Sequence, residues 1–194
     1  MSNIAVLQPE RLRRQYQLDT FVETGCNLGV SLALARLSGY AKLISCDVDP
    51  RCVPACRKNF PKAGILLADS LTMLGPCLPA LGKVMGRTLF WLDAHFPSFY
   101  GLPEPPAQRY PLPQELRLIR QGKTGWQHDV IGMDDLRIIR DPRNPRYQPG
   151  EPGVDPALYQ DVTIAGLYEP FAATHTLQLI AAEEGAMVFL PRAA

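Results

Sequence analysis

An open α/β sheet, mainly parallel and finished by an antiparallel hairpin, is the architecture this sequence predicts. Three observations predict it. Strand-like apolar runs alternate with helix-periodic segments as far as residue 134. Two β-rich runs near the end are separated only by Ala182-Glu183-Glu184-Gly185, a hairpin spacing. The 194-residue length, 46% apolar and 20% charged, suits one domain over 1–194 with a substantial buried core.

The elements follow in order. Residues 19–24 (DTFVET) form a first strand, and Gly29 to Gly39 a helix with a terminal glycine. Residues 42–48 are a second strand, followed by a helix from Pro50 to Phe60 with its proline in the first turn. Residues 64–68 and the helix 70–82 make the third unit. The fourth strand is 88–93, a helix spans Pro113 to Gln121, and the fifth strand is 129–134. The hairpin pairs 174–181 with 186–190.

Of the 19 prolines, six lie between Phe96 and Pro113 and five between Asp141 and Pro156. Proline excludes regular helix and central strand there, so both stretches read as long functional loops. The first, carrying Phe99, Tyr100 and Tyr110, is expected to be a substrate lid.

Bulk properties narrow the function classes. The net charge of +1 gives no general attraction to nucleic acid. No apolar run approaches the ~20 residues of a membrane span. Five cysteines and no leader pattern suit a reduced, cytoplasmic protein. Cys46, Cys52 and Cys56 lack zinc-site spacing and read as small buried hydrophobes.

Ligands of open α/β sheets bind beyond the carboxyl ends of the strands, so the chemistry should sit there. The first strand ends in Glu23-Thr24-Gly25-Cys26-Asn27-Leu28-Gly29, where glycines allow close backbone approach and Asn27 tolerates positive φ. Asp47, 18 residues beyond Gly29, is placed to accept both hydroxyls of a ribose, while Asp49 before Pro50 suits a helix cap. Asp69-Ser70 closes the third strand, to meet an adenine edge or to cap the next helix. Asp93 and His95 end the fourth strand, and Asp134 and Asp135 the fifth. Adjacent strand ends would crowd three carboxylates, which calls for protons, cationic partners or a divalent metal. Capping by Asp134 or Asp135, or pairing with Arg137 or Arg140, is the alternative. His95, beside a carboxylate, suits proton transfer. His128 and His175 receive no role.

These residues resemble class I S-adenosylmethionine-dependent methyltransferases, over roughly 19–135 and the terminal hairpin. The doubly wound, Rossmann-like sheet with its closing hairpin is that family's. Asn27 departs from its motif, standing for a middle glycine. The resemblance implies cofactor binding along Glu23, Gly25, Cys26, Asn27, Gly29, Asp47, Val48, Asp69 and Ser70, with Glu23 near the methionine end. Phe90-Trp91-Leu92-Asp93-Ala94-His95, Pro111-Leu112-Pro113-Gln114-Glu115-Leu116 and Val130-Ile131-Gly132-Met133-Asp134-Asp135 resemble a group of small bacterial methyltransferases. The acids are also similar to those of metal-dependent O-methyltransferases, which implies Mg²⁺ or another divalent cation on Asp93, Asp134 and Asp135.

The expected function is therefore O-methylation of a small hydroxylated acceptor of sugar or natural-product type with divalent-metal assistance, His95 taking the proton and Asp93 serving both as catalytic residue and as metal ligand. The few residues before the first strand leave no room for a separate substrate domain. A metal-free N- or carboxyl-methyltransferase and a non-catalytic cofactor-binding protein are the alternatives. The expected partner is a small molecule, with neither nucleic acid nor membrane; a homodimer is compatible with all of this.

Overall fold

The computed structural model describes residues 4–81, 85–95, 101–102, 109–139, 162–181 and 184–192, leaving aside the side chains of 77, 80 and 81. Seven strands form one sheet in the order β3-β2-β1-β4-β5-β7-β6. They are β1 (Thr20–Thr24), β2 (Lys42–Asp47), β3 (Gly64–Leu67), β4 (Thr88–Leu92), β5 (Val130–Met133), β6 (His175–Ile180) and β7 (Ala186–Pro191). β1 to β5 pair in parallel, and β7 runs antiparallel between β5 and β6. The hairpin thus inserts its second strand next to β5 and leaves its first at the edge. Strand order reverses at β1, so the β1–β4 boundary is the switch point where ligands bind.

Every residue of β1 and β4 is buried, as strands covered on both faces require. On one face, Phe21, Leu89 and Trp91 pack with Leu32 of α2 (Val30–Leu37) and Val53 of α3 (Cys52–Asn59). The N-terminal segment joins this face. A 3₁₀ turn at Ile4–Leu7 and helix α1 (Pro9–Tyr16) bury Ile4, Leu7 and Leu12. This segment carries too short a periodic pattern to stand out, and its helix is stabilised by packing. Gly132 makes room for it: a Cβ there would lie 2.5 Å from Leu7 and 3.0 Å from Trp91.

On the opposite face, Val22, Phe90 and Ile131 pack with Met73, Leu74, Leu116 and Ile119. The helix expected at 70–82 is broken into three parts. It starts as Ser70–Thr72, widens to a π turn at Met73–Cys77 around Pro76, and resumes as Leu78–Leu81; we call the whole α4. Proline lacks the N–H an α-helix would use, and the wider turn absorbs that loss. Helix α5 (Leu112–Gly122) starts one residue earlier than expected, with Pro113 in its first turn. A further short helix, α6 (Ile164–Tyr168), capped by Thr163, lies between the second proline-rich stretch and β6. Among the described residues no helix is long and apolar enough to cross a membrane.

Two expectations fall outside the described residues. The second proline-rich stretch lies within 140–161 and the lid's central part within 96–100 and 103–108. The lid's end is described: Tyr110 packs against the core and Leu112 is buried at the start of α5.

Candidate active site

The turn after β1 is shaped by its backbone. Gly25, Asn27 and Gly29 all take positive φ, at 83°, 41° and 78°. Gly25 abuts the fourth strand end: a Cβ there would lie 2.9 Å from the Asp93 carbonyl oxygen. Asn27 adopts the left-handed conformation its residue type tolerates. Its backbone N–H donates to Asp47 Oδ2 at 2.7 Å, and Asp49 N–H donates to Asp47 Oδ1 at 2.9 Å. Asp47 therefore ties the ends of β1 and β2 together. A carboxylate has about four acceptor sites, so capacity for ribose hydroxyls remains. Asp49 binds the Arg51 N–H at 2.8 Å and the Arg51 guanidinium, which holds its acid below the ordinary range. Val48 follows β2 directly, half-buried.

Cys26, Cys46, Cys52 and Cys56 are buried or half-buried free thiols. Cys26 and Cys56 are buried, and Cys56 Sγ donates to the Asn27 carbonyl at 3.4 Å. Burial pushes the Cys26 thiol far up, so it stays neutral. Asp69 caps α4: its carboxylate accepts Thr72 N–H at 2.9 Å and Thr72 Oγ1 at 2.7 Å. Ser70 is buried beside it.

Glu23 lies deeper than a strand-end acid should. It is 2% exposed and accepts Ser45 Oγ at 3.0 Å. Burial raises its pKa to about 8, against opposing hydrogen bonds from Ser45 and Ser31.

The ends of β4 and β5 bring Asp93, His95, Asp134 and Asp135 together, as adjacency predicts. His95 Nδ1 is 3.9 Å from Asp93 Oδ1, and His95 Nε2 meets Asp135 Oδ2. Asp135, at φ 54°, also receives Arg137 Nε at 2.8 Å, and Arg137 Nη1 reaches Glu184 at 3.1 Å. Burial opposes charge on His95, yet the Asp135 hydrogen bond and the charges of Asp135, Asp93 and Asp134 outweigh it and lift the ring to about 9. Burial would likewise raise Asp135, but His95 and Arg137 hold it low. Asp93 and Asp134 move the other way. Burial first and the Asp134 charge second raise Asp93; burial and the Asp135 charge raise Asp134 to about 7. Asp93 is 28% exposed, whereas Asp134 Oδ1 is buried with no hydrogen-bond partner among the described residues.

Among the described residues no three His, Cys, Asp or Glu side chains are arranged to hold a metal ion. Asp135 is already neutralised by His95 and Arg137, so protein cations relieve the repulsion that a metal was expected to relieve. Pairing with Arg137, the alternative, is what the fold builds.

One acid escaped the sequence reading. Glu115, on the inner face of α5, is 1% exposed and lies near the same strand ends. Burial raises it to about 7, opposed by hydrogen bonds from Ser70 and Thr24 and by the charge of His95. Its signal was an acid at i+3 from Leu112 and preceding Leu116, on a face where α5 is otherwise apolar.

The residues around the first turn fit an adenosyl cofactor: a glycine cradle, a ribose-type acid and free acceptor capacity. The fold agrees. The SAH-bound methyltransferase PaMTH1 of Podospora anserina aligns over 100% of this chain and 80% of its own, at 15% identity and TM-score 0.57. An SAH-bound O-methyltransferase from Bacillus cereus aligns over 98% and 82%, at 13% identity and TM-score 0.60. The SAM-bound O-methyltransferase TomG of Streptomyces achromogenes, involved in tomaymycin synthesis, aligns over 97% and 80%, at 13% identity and TM-score 0.59. The chain has the Rossmann-like fold of S-adenosylmethionine-dependent methyltransferases. No family model and no curated protein matches the sequence.

Proposed function

We propose that the protein is an S-adenosylmethionine-dependent methyltransferase acting on a hydroxyl of a small acceptor. The observation that carries this is Asp47, whose carboxylate is bound to the Asn27 N–H of the glycine turn at the switch point. The cofactor supplies an activated methyl group. Asp47 binds the ribose, Gly25 and Gly29 allow the close approach, and Asp69 and Ser70 flank the base.

Bound there, the cofactor would supply its methyl group to the acceptor hydroxyl, and Asp93 would take that hydroxyl's proton. Burial first and the Asp134 charge second raise that carboxylate above the ordinary aspartate range, which strengthens it as a proton acceptor. His95, expected to be the base, already carries a proton at neutral pH. It steadies Asp93 and is itself held by Asp135.

The test is calorimetry with S-adenosylhomocysteine. Wild type binds, and Asp47→Ala loses charge-assisted hydrogen bonds of ~1.5–3 kcal/mol each, hence at least tenfold in affinity. Unchanged affinity in Asp47→Ala overturns the ribose assignment. Absence of binding to wild type overturns the function.

A further inference from the structure

His175 lies at the amino end of the sheet, and its ring is held at both nitrogens. It opens β6, the edge strand that pairs with β7, and it is 0% exposed. Nε2 lies 3.0 Å from the carbonyl oxygen of Asp129, just before β5. A carbonyl only accepts, so Nε2 carries a proton. Nδ1 lies 2.8 Å from Thr174 Oγ1, which donates to it when the ring is neutral. The ring stacks on Trp126 at 5.8 Å and 4°, and Phe171 packs edge-on at 5.8 Å. The Tyr168 hydroxyl of α6 donates to the His175 carbonyl at 2.6 Å. One residue therefore joins β6, α6, the approach to β5 and the turn Trp126–His128.

Hydrogen bonding does not forbid a second proton on this ring. Nδ1–H could donate to Thr174 Oγ1, with that hydroxyl turned to the Phe171 carbonyl at 3.2 Å. Charge opposes it. From α5, Arg120 lies 5.5 Å over Trp126 and 5.8 Å over Phe171. Arg192, beyond β7, donates from Nε to the Ala172 carbonyl at 3.2 Å and from its backbone N–H to the Thr174 carbonyl at 2.8 Å. His128 ends the turn that carries Trp126, and Glu169, at the start of Glu169–Phe171, is exposed to water. Asp129 gives the ring its backbone, while its carboxylate takes Lys123 Nζ at 3.0 Å and the Thr88 N–H at 2.8 Å. Burial first holds the ring below the ordinary histidine range, Arg192 and His128 add to it, and the bond to the Asp129 backbone opposes it.

We propose that His175 is an acid-released latch: neutral, it clamps the edge strand β6 and helix α6 to the corner between α5 and β5, and taking up a proton it lets that edge open while the parallel strands stay folded. A ring that stays neutral when clamped and titrates near ~6.5 when released favours opening by up to about 25-fold at pH 5 relative to pH 7. Stability from this group is complete above about pH 6.5 and is lost as the pH falls below it. Asp129, which burial lifts to about 6 against the charge of Lys123, takes up its proton over the same range and favours the closed form. Replacing His175 alone leaves Asp129 in place, so comparing the two proteins isolates the ring. The latch stands independently of the methyltransferase reading.

Hydrogen exchange of the whole protein at pH 7 and pH 5, read by mass spectrometry and corrected for intrinsic rates, tests the latch. His175→Gln is the comparison, because its amide can still donate to the Asp129 carbonyl but does not ionise. From pH 7 to pH 5, protection across residues 164–180 is expected to fall at least about fivefold further in wild type than in His175→Gln, with β1 and β4 alike in the two proteins. A smaller difference overturns the latch. An equal extra loss in β1 and β4 overturns it too, because the whole fold then opens. If His175→Gln does not fold, the ¹⁵N shifts of the wild-type ring decide. A neutral ring in the native protein at pH 5.5 is the expected result, and a charged one overturns the latch.

Discussion

The two edges of this sheet bury the same chemistry to opposite ends. At the amino edge, Asp129 precedes β5 at 0% exposure, yet nearly everything around it is paired. Lys123 Nζ lies 3.0 Å from its Oδ2, and Thr88 N–H donates to its Oδ1 at 2.8 Å. His175 Nε2 bonds the Asp129 carbonyl at 3.0 Å, and the ring stacks on Trp126 at 5.8 Å. At the carboxyl edge, Glu23, Asp93, Glu115, Asp134 and Asp135 gather around His95 and Arg137. Asp134 Oδ1 and Glu115 Oε1 have no hydrogen-bond partner among the described residues. At the amino end one lysine faces one buried aspartate, although Asp129 Oδ2 makes only the ion pair and no hydrogen bond. At the carboxyl end the acids outnumber the cations that face them.

The largest expected effect is at the amino edge. Lys123→Met strands a buried carboxylate and should destabilise by ~3–5 kcal/mol, as broken buried pairs do. Urea unfolding reads that loss. A cost below about 1 kcal/mol would remove the contrast between the edges.

The carboxyl edge should behave oppositely. Asp134 titrates at about 7 in the folded chain, against ~3.9 unfolded. Between those values the folded state holds a proton the unfolded state has released, so stability falls as pH rises from about 4 to about 7 and then levels. Asp134→Asn cannot ionise, and at pH 8 it should be the more stable protein by roughly 1–3 kcal/mol. Melting curves across that range check it; a variant less stable than wild type at pH 8 contradicts the surplus-charge account.

The smallest effect concerns metal. With Asp135 held by His95 and Arg137, millimolar Mg²⁺ should leave the melting temperature within about 1 °C, since only binding to the folded state raises it. A larger rise would restore the three-aspartate site.

Much of this was legible in the sequence because it is local. All seven strands are where alternation and apolar runs put them, within one or two residues. Positive φ at Asn27 followed from its residue type and its place among glycines. The meeting of Asp93 with Asp134 and Asp135 followed from strand adjacency. α1 and α6 were not legible: each is short, and each is stabilised by the face it covers. The break of α4 was signalled only by Pro76, which says that a helix must deform without saying how.

By itself, the sequence determined the alternation of elements, the acids at the strand ends and the glycine turn, because periodicity and residue type act over a few neighbours. Tertiary structure alone decided how those acids are used. It gave Asp135 to Arg137 and His95, turned Glu23 inward onto Ser45, and brought Glu115 from α5 to the same edge. A carboxylate's charge and partners depend on burial and on groups distant in the chain, and only the packed fold sets both.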